Sequence, residues 1–144
     1  RRRRLIRPAG QRLNSDSGGG EEMVFSYLNA AAFIALIGAI FHGYVGGKIY
    51  LAHIYQSELL PLTRSLSVVS WQVFTIWLVV SAGVLVCVSL DASLALMAYP
   101  IILVNVLCAA LFLYLGATGH GHLLRLPGAY LTAATAALAY LGIA

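Results

Sequence analysis

The chain has 144 residues, of which 60% are hydrophobic and 10% are charged, and its formal net charge is +4. Soluble domains are roughly half apolar and about a quarter charged, so this composition indicates a membrane protein and excludes a soluble enzyme or a disulfide scaffold. Six arginines lie within the first 12 residues, so the rest of the chain has no basic face that would bind nucleic acid.

The N-terminal segment, residues 1–22, has no apolar periodicity. It opens with Arg1, Arg2, Arg3 and Arg4 and contains a Ser/Gly run typical of a flexible linker. We therefore expect it to be disordered. Three interpretations stay open: a basic arm that binds anionic lipid, a remnant of organelle targeting, or a leftover or processed segment ahead of the native start.

Four apolar runs follow this tail, and none contains a charged residue. They cover about residues 24–47, 66–90, 94–117 and 126–144. Each is long enough for the roughly 20 apolar residues that span a bilayer core. Short connections between helices favour antiparallel neighbours. The sequence therefore predicts an all-α membrane protein whose four transmembrane helices form an antiparallel, up-down-up-down bundle.

Prolines indicate where several of these helices begin. Pro100 either bends the third helix or marks its true start, and Pro127 suits the first turn of the fourth. No helix breaker separates Lys48 from Pro61, so the first helix is expected to continue beyond its apolar run.

A stripe of small residues recurs at four-residue spacing along the first helix. Its members are Ala31, Ala35, Ala39, Gly43 and Gly47. In lipid, helices associate through packing and hydrogen bonds, and small residues let two helices approach closely. The stripe predicts a packing seam, either with helices of the same chain or with another subunit.

Polar residues gather at one end of the predicted bundle, where the first and third connections lie. Lysine, arginine and tyrosine side chains at such an end suit lipid headgroups. With the tail, the residues predicted to contact headgroups are Arg1, Arg2, Arg3, Arg4, Lys48, Tyr50, Arg64 and Arg125. Which side of the membrane this end faces stays open, because the positive-inside balance reverses if the tail is not native.

The four histidines are the candidate cofactor-binding residues: His42, His53, His120 and His122. On a continuous helix, His42 and His53 share a face but lie about 16 Å apart, too far to bind one metal. A haem b needs axial histidines on different helices, which leaves His42 with His120 or His122. No metal site is predicted, because His-x-His alone lacks enough ligands.

Polar residues within the apolar runs are costly and are expected to face the bundle interior. They are Asn29, His42, Gln72 and Asn105, and Gln72 is placed to hydrogen-bond His42. The chain shows no serine or cysteine nucleophile with a matching base, so no catalytic residue is predicted.

Three stretches resemble a family of small, uncharacterised bacterial four-helix membrane proteins. They are FHGYVGGK at 41–48, LPL at 60–62 and SWQVFTIW at 70–77. The resemblance covers residues 23–144 and implies the architecture and a location in the bacterial cytoplasmic membrane, but no activity. The chain departs from the family at Gly47 and Lys48, where an acidic-basic pair is usual, and at Gln72, which replaces a histidine.

The leading functional hypothesis is a non-catalytic accessory or assembly subunit of a larger membrane complex, with membrane lipids and other subunits or a second copy as partners. One alternative is a protein that binds haem, quinone or a lipid headgroup at its histidine-rich end. The other is a lipid-modifying enzyme that uses His42 and Glu58.

Overall fold

A computed structural model describes residues 17–144, and this part of the chain is helical without strands. The first helical rod consists of α1, a π-helical turn and α2. The elements in chain order are α1 (Ser17–Ile40), the π-helical turn (Phe41–Gly46), α2 (Gly47–Gln56), α3 (Pro61–Leu90), a 3₁₀ helix (Ala92–Met97), α4 (Ala98–Ala117), a second 3₁₀ helix (Gly121–Arg125) and α5 (Gly128–Leu141).

The helix boundaries differ from the predicted ones mainly at the N-terminal ends. Helix α1 begins at Ser17, inside the predicted tail, while residues 1–16 lie outside the described part of the chain. The first rod continues to Gln56, as predicted. Helix α3 begins at Pro61, ahead of its apolar run, because proline suits the first helical turn, where no N–H is needed.

The other two prolines of the described residues, Pro100 and Pro127, lie at helix starts. Pro100 is in the first turn of α4, so it marks the start of that helix. Pro127 immediately precedes α5, which is shorter than predicted. The 14 residues of α5 measure about 21 Å, less than the roughly 30 Å thickness of a hydrocarbon core.

Three helical segments are long and apolar enough to cross a membrane: Phe25–Gln56, Pro61–Leu90 and Ala92–Ala117. The prediction of an all-α chain is confirmed for the described residues. Three segments of this length and hydropathy are typical of an integral membrane protein.

Helices α1 and α5 pack against each other in the middle of the molecule. Helix α3 packs on the other side of α1, and α4 packs on the other side of α5, whereas α3 and α4 contact each other little. The buried core lies at the end where α3 leads into α4. Its members are Leu28, Ala31, Ala32, Leu85, Val88, Ala98, Ile101 and Ala139.

Small residues bring the backbones together in this core. Ala31, Ala98 and Ala139 are fully buried. A Cβ added to Gly142 would lie 2.7 Å from Leu28, so the last turn of the chain passes directly against α1. The connection beside the core is capped by Asp91, whose pKa is lowered by hydrogen bonds from the Ser93 side chain and backbone. Close packing therefore fixes one end of the molecule.

Candidate functional site

A cavity of about 530 Å³ lies at the opposite end from the core, where α3 and α4 are apart. Its walls come from α1, the π-helical turn, α2, α3, α4, the second 3₁₀ helix and α5. Leu78 and Asn105 lie in the part of the lining nearest the core, and Tyr50 and His122 lie at the polar end. None of the side chains that line the cavity belongs to Lys, Arg, Asp or Glu, so its interior is apolar apart from a few uncharged polar groups.

The cavity is about as long as one leaflet of a bilayer is deep. Along the first helical rod its lining extends from Ile34 to Tyr50, a rise of about 24 Å. Half of a bilayer with its headgroup region measures about 20–22 Å. The cavity is thus comparable in length with a single lipid molecule of one leaflet.

Three aromatic rings form a stack at the polar end of the cavity, which we call the ring stack. The indole of Trp71 lies 3.9 Å from the His42 ring and 4.3 Å from the Tyr50 ring, at an interplanar angle of 15° in both pairs. Phe74 meets the His42 ring edge-on at 4.9 Å. Each such pair contributes about 0.5–1.5 kcal/mol, so the stack holds His42 in place against α3.

A hydrogen bond also fixes His42. Its Nδ1 lies 3.0 Å from Oγ1 of Thr75, and the Thr75 hydroxyl donates to the carbonyl of Trp71 at 3.3 Å. Phe74 and Thr75 follow Trp71 by three and four residues, so all three side chains share one face of α3 and contact His42. The imidazole is therefore held by its position in the stack and by one of its nitrogens.

Glycines in and after the π-helical turn allow this close contact. A Cβ on Gly43 would lie 2.9 Å from Cγ2 of Thr75, and one on Gly46 would lie 2.9 Å from Cζ2 of Trp71. The α3 side chains therefore rest directly on the backbone of the turn. π-Helical turns are rare and occur frequently at functional sites.

His42 and His53 do not share a helix face as predicted, because the π-helical turn lies between α1 and α2. The turn contains an extra residue relative to an α-helix, so everything after it rotates about the helix axis. His42 lines the cavity, whereas His53 is exposed outside it and its Nδ1 pairs with the carbonyl of Ile49 at 2.6 Å. The two histidines do not form one site.

The other two histidines lie on the far side of the cavity from His42. Their rings meet edge-on at 6.1 Å, and both side chains are exposed. His122 lines the cavity and His120 does not. Within residues 17–144 no three His, Cys, Asp or Glu side chains come close enough to hold a metal ion.

The polar residues inside the helices do not all face inward. Asn105 is buried and its amide donates to the carbonyl of Ile101 at 2.8 Å, and Asn29 bonds its own helix in the same way. Gln72 is exposed and makes no bond to His42, so the prediction for this residue is wrong. Adjacent residues on a helix point about 100° apart, and Trp71 holds the inward position.

The residues predicted to contact headgroups have different environments. Lys48 donates to the Tyr44 hydroxyl at 2.7 Å and lies over the same ring, and Arg125 is exposed. Tyr50 belongs to the ring stack. Arg64 donates to the carbonyl of Ser57 at 2.7 Å, so it also closes the connection between α2 and α3. Arg1, Arg2, Arg3 and Arg4 lie outside the described residues.

The small-residue stripe packs within the chain. Ala31, Ala35 and Ala39 are buried, and Ala31 belongs to the core. Gly43 and Gly47 lie against the α3 side chains of the site. The stripe is therefore occupied by the chain's own helices along its length.

Sequence analysis did not identify Trp71 and Thr75 as partners of His42. The signal available was their spacing, since Trp71, Phe74 and Thr75 lie on one face of the predicted second helix. The cavity itself has no sequence signal, because it results from the separation of α3 from α4.

Comparison of the chain with protein-family models, with curated proteins and with solved structures found no match in any of the three. The fold and the site thus define a helical membrane protein with a partly open apolar cavity.

Proposed function

We propose that this protein binds a single lipid-like amphiphile in the cavity, with its apolar chain toward the core and its head at the ring stack. The observation that carries the proposal is a leaflet-length cavity of about 530 Å³ that has no charged side chain in its lining and has the ring stack at one end. Pockets of about 300–1,000 Å³ that are mostly apolar, with a few placed polar groups, are typical of small-molecule sites.

The occupant is argued from the shape and chemistry of the cavity. Aliphatic and aromatic side chains such as Ile34, Leu78 and Phe112 suit a hydrocarbon chain, and the absence of charge in the lining disfavours a charged head. The length of about 24 Å matches a molecule aligned with one leaflet. A membrane lipid can enter from the side, between α3 and α4, without leaving the bilayer.

We propose further that the chain crosses the membrane four times, in the antiparallel arrangement predicted from sequence, with the bacterial cytoplasmic membrane as its location. The core supports this arrangement, because the N-terminal half of α1 there meets the C-terminal ends of α3 and α5. The short helix α5 lengthens its apolar span with Leu126 and with Gly142–Ala144. The bacterial location rests on the resemblance described above.

The binding proposal is tested by photolabelling in lipid nanodiscs. The probe is hexadecanol with a diazirine in the middle of its chain, and excess unlabelled hexadecanol is the competitor. Gly38→Leu takes up cavity space, since Gly38 lines the cavity and a Cβ there is in ordinary contact with Leu78 at 3.8 Å. We expect saturable labelling of cavity residues, reduced about tenfold or more by Gly38→Leu.

Gly83→Leu is the matched control. Gly83 lies within α3, is exposed, and has nothing within 4 Å of an added Cβ. This variant should label as the parent chain does. Labelling that is confined to the outer faces of the helices, or that hexadecanol does not compete away, would show that the cavity does not bind lipid. A haem absorption band in the purified protein would equally overturn the lipid proposal in favour of His42 and His122 as ligands.

An accessory or assembly role in a larger membrane complex is the second proposal. It is favoured by the outer face of α1, where Phe25, Phe33 and Ile40 are exposed and large enough to pack against another transmembrane helix. This role needs no ligand, so an unlabelled cavity in the same experiment would favour it over lipid binding.

A further inference from the structure

The hydrogen bonds around His42 favour one of its two tautomers. The Thr75 hydroxyl has a single hydrogen and two neighbours, Nδ1 of His42 at 3.0 Å and the carbonyl of Trp71 at 3.3 Å. Both contacts of this hydroxyl are hydrogen bonds in only one arrangement of the hydrogens. In that arrangement Nδ1 of His42 donates to Oγ1, and Oγ1 donates to the carbonyl of Trp71. In a neutral imidazole, Nε2 is then an acceptor with a free lone pair.

That lone pair is accessible. Nε2 of His42 has no hydrogen-bond partner among the described residues, and it is not one of the buried polar atoms. Trp71 stacks on one face of the ring, Phe74 lies against it edge-on, and Nδ1 is engaged by Thr75, so Nε2 is the ring nitrogen left for a ligand. His42 itself lines the cavity.

We infer, on the basis of the lipid binding proposed above, that the cavity selects an uncharged amphiphile whose head donates a hydrogen bond, a lipid alcohol. Its hydroxyl donates to Nε2 of His42, and its chain extends past Leu78 toward Asn105. Heads that only accept hydrogen bonds, such as an ether, an ester or a quinone carbonyl, cannot bond to Nε2 of His42, because they place a lone pair against its lone pair. Phosphate and carboxylate heads meet no cation in the lining.

The experiment compares competitors that differ only in the head. Hexadecanol and its methyl ether are titrated against the diazirine-bearing hexadecanol in nanodiscs that contain the whole chain. We expect hexadecanol to displace the probe at a mole fraction about five- to tenfold lower than the ether, the effect of one hydrogen bond to an otherwise unpaired acceptor.

Two variants test whether His42 is the source of this preference. His42→Phe keeps a flat ring in the stack but removes Nε2, so the alcohol and the ether should compete equally. Thr75→Val removes the partner that fixes the proton on Nδ1, so the preference should fall while labelling of the cavity persists. His53→Phe, which changes a histidine outside the cavity, is the matched control and should leave the preference unchanged.

The outcomes separate this inference from the proposed function. If the ether competes as well as the alcohol in the unaltered chain while cavity labelling stays saturable, the cavity binds lipid but the inference about the head is wrong. If His42→Phe retains the full preference, His42 is not the group that distinguishes the alcohol from the ether. If no cavity residue is labelled, the lipid-binding proposal fails with it.

Discussion

Gly46 and Trp71 show how closely single residues determine the site. The indole lies on the Gly46 backbone, and the same indole contacts His42 and Tyr50 through its faces. Any side chain at position 46 has to displace Trp71 from the stack. The position of the His42 imidazole therefore depends on residue 46 having no side chain where the first rod meets α3.

We predict that Gly46→Ala destabilises the protein. The new Cβ would lie 2.9 Å from Cζ2 of Trp71, and such overpacking costs about 1–3 kcal/mol, whereas the gain in helix propensity is at most about 1 kcal/mol. The unfolding temperature in mild detergent, followed by the loss of monodisperse protein, should fall. Gly38→Ala is the control, since its Cβ meets Leu78 at an ordinary 3.8 Å. Equal unfolding temperatures for the two variants would contradict the contact.

At the scale of the elements, the π-helical turn determines what α2 presents to the cavity. It carries an extra residue between α1 and α2, and without it α2 would be rotated by about 100°. The observed register places Tyr50 on Trp71 and turns His53 outward. The turn thus decides which aromatic and polar groups reach the site.

We predict that deleting Tyr44 restores α-helical register and separates Tyr50 from Trp71. In a Trp77→Phe background, so that emission reports Trp71 alone, the deletion should shift the fluorescence maximum and reduce the near-ultraviolet dichroism of the stack. Tyr44→Ala removes the same exposed side chain but keeps the length of the turn, so its spectra should stay close to those of the parent chain. Identical spectra for the two variants would mean that the turn does not determine the register.

At the scale of the whole molecule, the separation of α3 from α4 produces the cavity. A tightly packed core fixes the end where these helices are joined, and α1 and α5 lie between them elsewhere. The open end coincides with the polar end of the chain. The molecule therefore has one closely packed end and one end that is open between α3 and α4.

The four-span arrangement predicts where each connection lies. In a chain with Cys87→Ser and Cys108→Ser, single cysteines are introduced as Gln56→Cys, Ser93→Cys and Thr118→Cys, all at exposed positions. Positions 56 and 118 should react with a membrane-impermeant maleimide from the same side of the membrane, and position 93 only from the other side. Labelling of positions 93 and 118 from one side would show that α4 does not cross.

The sequence by itself determined the class of protein and most of the helices. Long uncharged apolar runs require helices in a membrane, since every backbone polar group in lipid has to be satisfied within the segment. Pro127 indicated the start of α5, because proline suits a first helical turn, whereas Pro61, which begins α3, was not recognised as a helix start. These are local properties of the chain, so they can be predicted without knowing what packs against what.

Only the tertiary structure decided which faces pack, where the chain leaves a cavity and how the histidines are arranged. Lipid-facing and core-facing residues of a membrane helix are both apolar, so hydrophobicity does not distinguish them, and Gln72 was misplaced for this reason. The π-helical turn and the stack of Trp71 on His42 depend on contacts between α3 and the first rod. The site exists because helices distant in sequence meet closely at one end and separate at the other.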